Sequence, residues 1–255
     1  MQGTITSSID VAQVVLYAFW VFAAGLIFYL RREDKREGYP LESERSAHIR
    51  VQGFPWVPEP KTFRLAHGGT VTAPSGRADD RPVRAEPYAA ALGSPLVPTG
   101  NPLVDGVGPA AYANRADAPE LTVDGHPSIV PLRVATDHVV ADEDLPNDPR
   151  GMEVFGADRN LAGTVRDLWV DRTEPQIRYL EVEVAGARRV LVPMTMVELR
   201  GGRRVYVRAI LASQFAEAPV LRDPDQVTKL EEDRIAAYFA GGTLYATPAR
   251  QEPLL

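Results

Sequence analysis

The chain has 255 residues, of which 45% are hydrophobic and 24% are charged, the ordinary composition of one or two globular domains. Its formal net charge of −6 argues against a nucleic-acid-binding protein, because such domains are usually strongly basic. The absence of cysteine excludes disulfides, cysteine-ligated zinc, iron–sulfur clusters and thiol catalysis.

An apolar stretch near the N-terminus has the length of a membrane span. Residues 11–30 contain one strongly polar side chain, Gln13, and a helix of this length extends about 30 Å, the thickness of a hydrocarbon core. A cleaved signal peptide is the alternative, but residues 1–10 lack the Lys or Arg that precedes the apolar region of such peptides. Residues 11–31 are therefore predicted to form a transmembrane helix.

Basic residues follow this span at Arg31, Arg32, Lys35 and Arg36. The positive-inside rule then places residues 1–10 in the periplasm and the remaining chain in the cytoplasm. The same four side chains are candidates for contacts with anionic lipid head groups such as those of cardiolipin. A topology signal alone is the alternative interpretation.

The segment 32–115 is interrupted every few residues by Pro or Gly, which favours an extended chain with short strands over long helices or central strands. Apolar side chains nevertheless recur along it: Phe54, Trp56, Phe63, Leu65, Leu96, Val97 and Leu103. Disordered segments are poor in such groups. The segment is predicted to be ordered over a partner's surface, with a disordered linker as the alternative.

Residues 116–255 have the pattern of a globular domain. Apolar and polar residues alternate in "AGTVRDLWVD", "RYLEVEV", "RRVLVPM" and "RRVYVRAI", which indicates strands with one buried face. Five or six short antiparallel strands within about residues 150–212 predict a small curled sheet or barrel. A helix is expected over about residues 225–240, capped by Asp225 and ended by Gly241–Gly242.

Several stretches, taken together and in order, resemble the H subunit of the photosynthetic reaction centre of purple bacteria. They are "YAFWVFAAGLIFYLRREDKREGYPLE", "PKTF", "VPTGNPLVDGVGPAAY", "LWVDRTEPQIRYLEVEV", "LVPM" and "LEEDRIAAYFAGGTLYA". The resemblance covers nearly the whole chain and includes a barrel of the PRC type. It implies a single transmembrane α-helix plus a mainly-β cytoplasmic domain, a small antiparallel PRC-type barrel, with a C-terminal helix.

The resemblance also implies a function without enzymatic activity in a bacterial inner, or intracytoplasmic, membrane. Such a subunit binds no pigment, caps the L and M subunits on the cytoplasmic side, shields the quinones and helps conduct protons to the secondary quinone. Bacteriochlorophyll, bacteriopheophytin, quinones and non-haem iron belong to L and M, and this chain is expected to bind no cofactor itself. The resemblance is also compatible with a cytochrome subunit and a light-harvesting ring as further partners in the same complex.

Two stretches are candidates for proton transfer. "DGHPS" contains Asp124 and His126, where the family takes up protons and binds inhibitory zinc or cadmium; this sequence has a single histidine there, so His126 is only a weak metal candidate. From the residues alone, an exposed histidine near an aspartate is ordinary surface. Of the other three histidines, His48, His67 and His138, the last two are weaker candidates.

"WVDRTEPQ" places Asp171 and Glu174 in a loop between two strands, and a solvated turn is the simplest interpretation. In the family, the acid that matches Glu174 lies near the secondary quinone among other buried acids, so it could hold a proton near neutrality. Arg178 is expected to balance charge near Glu174. The alternatives are a membrane-tethered enzyme, for which no catalytic motif is recognisable, and a membrane-tethered PRC-barrel adaptor without a photochemical role.

Overall fold

The structure is a computed structural model, and it describes residues 10–43, 46–76, 81–91, 93–141, 147–200 and 203–251, without the side chains of residues 42–50 and 200. His48 therefore lies outside the described side chains. The chain divides into two compact units, residues 1–79 and 80–255. The boundary lies within the segment that was predicted as a single extended stretch, residues 32–115.

The first unit begins with helix α1, Val11–Glu33, which a single 3-10 turn, Asp34–Arg36, extends. The Asp10 carboxylate caps its N-terminus by accepting a hydrogen bond from the Ala12 amide. None of the described side chains of α1 is buried, and Val11–Arg36 is long and apolar enough to cross a membrane. An apolar helix of this length without a buried side chain agrees with the predicted span.

Two antiparallel hairpins follow α1, as expected for a Pro-rich chain with short strands. The first pairs β1 with β2 and the second pairs β3 with β4. Their bounds are Leu41–Ser43, Ser46–Val51, Lys61–Arg64 and Thr70–Ala73.

The second unit opens with a further hairpin and a short helix. Strand β5, Ala85–Pro87, pairs with β6, Leu96–Pro98. Helix α2, Pro102–Asp105, is capped by the Asn101 side chain, and a 3-10 turn, Gly108–Ala110, follows it. Helix α2 and the 3-10 turn pack against the C-terminal helix of the same unit.

A seven-stranded sheet forms the centre of the second unit, in the order β11-β10-β9-β8-β13-β12 with β7 paired to β9. The strands are β7 Ile129–Pro131, β8 Glu153–Phe155, β9 Leu161–Asp171, β10 Gln176–Val184, β11 Arg188–Pro193, β12 Val197–Arg200 and β13 Arg204–Val207. The alternating stretches therefore do form strands. One pairing differs from the expected antiparallel pattern, because β8 and β13 run parallel.

Strand β9 is covered on both faces near its end. Its first half pairs with β8 and its last three residues pair with β7, while β10 runs along the opposite edge. Leu168 and Trp169 belong to the main core, whereas Val170 packs in a smaller cluster with Val130 and Ala135. As a consequence, polar side chains at this end of β9 are buried together with the apolar ones.

The C-terminal helix α3 spans Lys229–Tyr245, so its predicted bounds of 225–240 were displaced. Thr228, not Asp225, is the N-cap, because Thr228 and Glu231 form a reciprocal capping box. The helix also continues through the Gly241–Gly242 pair. A Cβ at Gly241 would lie 2.5 Å from the Ala110 Cβ, which shows that this glycine permits close packing and does not end the helix.

Candidate functional site

The turn between β9 and β10 is organised by the carboxylate of Asp171. This buried side chain accepts hydrogen bonds from the Thr173 amide at 2.9 Å, the Thr173 hydroxyl at 2.5 Å and the Glu174 amide at 3.4 Å. An aspartate that binds the backbone two residues ahead is a common way to fix a turn. Asp171 therefore sets the position from which Glu174 projects.

Glu174 itself lies on the exposed surface of this turn. Its carboxylate accepts one hydrogen bond, from the Gln176 side chain, at 3.1 Å. Burial of Glu174 among other acids, which the resemblance implies, would have to come from a partner chain. Its role in proton transfer stays a prediction.

A partly buried tyrosine–glutamate pair lies close to this turn along β10, and sequence reasoning did not identify it. The Tyr179 hydroxyl donates a hydrogen bond to the Glu232 carboxylate on α3 at 3.1 Å. Burial raises the pKa of Glu232, and the nearby negative charge of Glu120 raises it further. Burial, followed by the charge of Glu232, raises the pKa of Tyr179. Burial thus favours the protonated form of Glu232, whereas the hydrogen bond from Tyr179 favours the charged form.

Arg178 is exposed on β10, next to this pair. Its positive charge acts on Glu232 in the opposite direction from burial, since it favours the charged carboxylate and lowers the pKa. The structure therefore connects the charge of Arg178 with Glu232, while the expected balance between Arg178 and Glu174 stays a prediction. No short sequence motif could have predicted the Tyr179–Glu232 pair, because the two residues are 53 positions apart in the chain.

Asp124 and His126 lie in an exposed turn. The turn is closed by a hydrogen bond of 2.8 Å from the Thr122 amide to the His126 carbonyl oxygen. His126 shares a pocket of about 250 Å³ with Asp223 and Asp225, two acids far along the chain that the sequence pattern did not suggest. Among the described residues, no group of three or more His, Asp or Glu side chains is placed to hold a metal ion.

Three of the four basic residues after the span bind or contact other groups of the first unit. Lys35 is only 3% exposed, and its ammonium donates to the carbonyl oxygens of Gln52 at 2.6 Å and Pro55 at 2.5 Å. A buried ammonium with these partners is poorly placed for a lipid head group, because leaving them would cost both hydrogen bonds. Arg31 remains exposed, and its contact with lipid head groups stays a prediction.

Arg36 and Arg32 also have partners within the unit. The Arg36 guanidinium binds the Glu33 carboxylate through two hydrogen bonds of 2.9 Å and donates to the carbonyl oxygens of Glu59 and Ala73. The Arg32 guanidinium lies 5.2 Å from the centre of the Trp56 ring, a cation–π distance. These residues order the chain that follows the span.

Two acidic side chains are buried within the sheet, and arginines nearer the surface bind them. The Glu181 carboxylate accepts hydrogen bonds from Arg133 at 2.8 Å, Arg189 at 2.9 Å and the Trp169 indole at 3.0 Å. Arg133 also binds Asp167 at 3.0 Å. The two acids and two arginines line a cavity of about 760 Å³ together with His138, one of the weaker proton candidates.

Two protein families match the chain along its length. The family described as "Photosynthetic reaction centre, H-chain N-terminal region" matches residues 3–134, which is just over half of the chain. The PRC-barrel domain matches residues 141–214, a range that contains strands β8 to β13. The chain therefore belongs to the reaction-centre H-chain family, and it is a membrane-anchored, structural reaction-centre subunit that carries a PRC barrel.

Proposed function

We propose that this chain caps the cytoplasmic face of the L and M subunits, shields their quinones from solvent and helps conduct protons to the secondary quinone. The family match carries this proposal. The surface of the first unit supports it, since α1 has no buried side chain and large apolar groups such as Phe54 and Trp56 are exposed after it. Contiguous apolar surface of this kind is usually covered by a membrane or by another protein.

The proposed orientation has the N-terminus in the periplasm. The basic residues at 31–36 follow the span, and none is present in residues 1–10. Positive charge next to a span favours the cytoplasmic side. The second unit would then lie in the cytoplasm, on the side from which protons are taken up.

The proposed proton route uses surface groups to collect protons and partly buried groups to hold them. Asp124 and His126 are exposed, as a collecting site requires. Glu232 is supported as a carrier by the burial that raises its pKa, although the hydrogen bond from Tyr179 acts in the opposite direction. Glu174 is proposed as an acid near the secondary quinone, at the end of the route. Pigments, quinones and non-haem iron are assigned to L and M.

The substitution Glu174→Gln tests the proton route. Without a titratable group at this position, the second electron transfer to the secondary quinone should slow by about tenfold or more, because that step waits for a proton. The measurement is flash spectroscopy of reaction centres that carry the variant chain, from pH 6 to pH 9.

Glu183→Gln is the matched control. Glu183 lies on β10 and binds Arg166 on the surface of the sheet at 2.6 Å, so its loss should leave the electron-transfer rate unchanged. Identical kinetics for the Glu174→Gln variant and the unaltered complex over this pH range would exclude Glu174 from the route.

A further inference from the structure

Two exposed aromatic side chains lie against the end of the predicted membrane span. We call residues Phe54, Pro55 and Trp56 the aromatic loop. The Phe28 ring in α1 lies 5.8 Å from the Phe54 ring and 6.2 Å from the Trp56 ring, measured between centroids. Phe54 nevertheless remains 79% exposed and Trp56 51% exposed. The aromatic loop thus presents most of its ring surface outward.

The contact with Phe28 fixes the depth of the aromatic loop. Phe28 precedes Leu30, the last apolar residue of the span, by two residues, or about 3 Å along the helix axis. The head-group region beyond the hydrocarbon core is about 6 Å thick on each side of a bilayer. Rings in contact with Phe28 must therefore lie near the boundary between acyl chains and head groups.

The buried side chain of Lys35 holds the aromatic loop in this position. The Lys35 ammonium binds the carbonyl oxygens of Gln52 and Pro55, on either side of Gly53 and Phe54. Gly53 has a φ of +66°, and a Cβ there would lie 3.2 Å from the Lys35 Nζ, so the bend requires glycine. Two hydrogen bonds to a buried cation make this arrangement specific.

The charges around the aromatic loop match a phospholipid surface. Arg32 lies over the Trp56 ring, and Arg31 is exposed one residue earlier in α1, so positive charge lies at the end of the span, at the level of lipid phosphates. Trp favours this depth because its ring is amphipathic. Long cationic side chains likewise place their stems in apolar surroundings and their charges at the surface.

We propose that the aromatic loop inserts into the head-group boundary of the phospholipid bilayer, as a second membrane contact beside the span. Phe54 and Trp56 contact lipid directly, and Lys35 is the positioning residue that holds them there. This contact would fix the depth and tilt of α1 at one surface of the membrane. The inference depends on the span alone and does not require a role in proton transfer.

The chain has no cysteine, so Phe54→Cys provides a single site for a nitroxide label. The labelled full-length chain is placed in vesicles of phosphatidylcholine and phosphatidylglycerol. Electron paramagnetic resonance then compares collisions of the label with oxygen, which partitions into lipid, and with a water-soluble nickel chelate. The oxygen-to-nickel ratio at position 54 should be several-fold higher than at the control Val123→Cys, whose side chain is 94% exposed in the second unit.

Three further measurements decide the proposal. A label at Trp56→Cys should give the same preference for oxygen, and adding Lys35→Met to Phe54→Cys should reduce it by releasing the loop. A nickel collision rate at position 54 equal to that at Val123→Cys would place the loop in water and overturn the proposal. Loss of collisions with both reagents in the assembled complex in lipid nanodiscs would overturn it as well, since a protein partner would then cover the loop.

Discussion

Glu231 and Glu232 are neighbours in α3 with different roles, because consecutive residues of a helix point about 100° apart. Glu231 accepts a hydrogen bond from the Thr228 amide at 2.8 Å and so caps the helix. Glu232 points toward β10 and accepts the hydrogen bond of Tyr179. The same type of side chain thus caps the helix at position 231 and is a candidate proton carrier at position 232.

The raised pKa of Glu232 predicts a pH-dependent contribution to stability. Its pKa lies above the ordinary value of 4.5 in the folded chain, so the folded state keeps a proton that the unfolded state releases. This contribution is favourable at low pH and is lost as the pH rises toward the folded-state pKa. Glu232→Gln keeps an acceptor for Tyr179 without the charge, so the variant should become more stable relative to the unaltered chain as the pH rises from about 4 to 7.

Urea unfolding of the full-length chain in mild detergent, at a series of pH values, measures this difference. Glu183→Gln serves as the comparison, because the hydrogen bond from Arg166 lowers the pKa of Glu183. The stability of this variant relative to the unaltered chain should therefore fall, not rise, as the pH increases. A stability difference between the Glu232→Gln variant and the unaltered chain that is constant with pH would show that Glu232 keeps an ordinary pKa in the fold.

At the scale of elements, α3 shows how packing overrides local preference. Glycine in a helix costs about 1 kcal/mol relative to alanine, yet Gly241 and Gly242 are consecutive and both lie inside this helix. A Cβ at Gly242 would meet the Ile210 side chain, and its distance from the Ala209 carbonyl oxygen would be 2.5 Å. The two glycines let the backbone of α3 approach its neighbours directly.

Gly242→Ala should therefore destabilise the chain, although alanine is the better helix former. We expect a loss of about 1–3 kcal/mol of unfolding free energy from overpacking, partly offset by the gain in helix propensity. Thermal or urea unfolding in detergent measures it, and the exposed neighbour Thr243→Ala serves as the control with little change. A more stable Gly242→Ala variant would mean that α3 moves away from Ala209 without cost.

At the scale of the whole molecule, local sequence patterns predicted the strands correctly but did not predict pairings between distant segments. Alternation identified the hairpin strands β9 to β11, since each register is set by residues close in the chain. The parallel pairing of β8 with β13 joins segments about 50 residues apart, so no local pattern carries it. The buried position of Lys35 and the partly buried position of Glu232 were missed for the same reason, because folding alone brings each residue to its partners.

Membership of the reaction-centre H-chain family predicts what purifies with this chain. Extraction from the native membrane in mild detergent should yield bacteriochlorophyll and bacteriopheophytin bands that bleach after a flash, because under the proposed function the chain stays bound to the pigment-binding subunits. An absorption spectrum before and after the flash is the measurement. A colourless, homogeneous chain from pigmented cells would favour the membrane-tethered PRC-barrel adaptor.

The glycine contacts of α3 also have a mechanical consequence. Where backbone meets backbone, no side chain is free to change rotamer and let the helix slide or turn about its axis. Glu232 lies on the same helix, about two and a half turns before Gly241, so we expect α3 to keep its place beside β10 when Glu232 gains or loses a proton. A change in the proton affinity of Glu232 is then expected to come from nearby charges, such as those of Arg178 and Glu120, and not from movement of the helix.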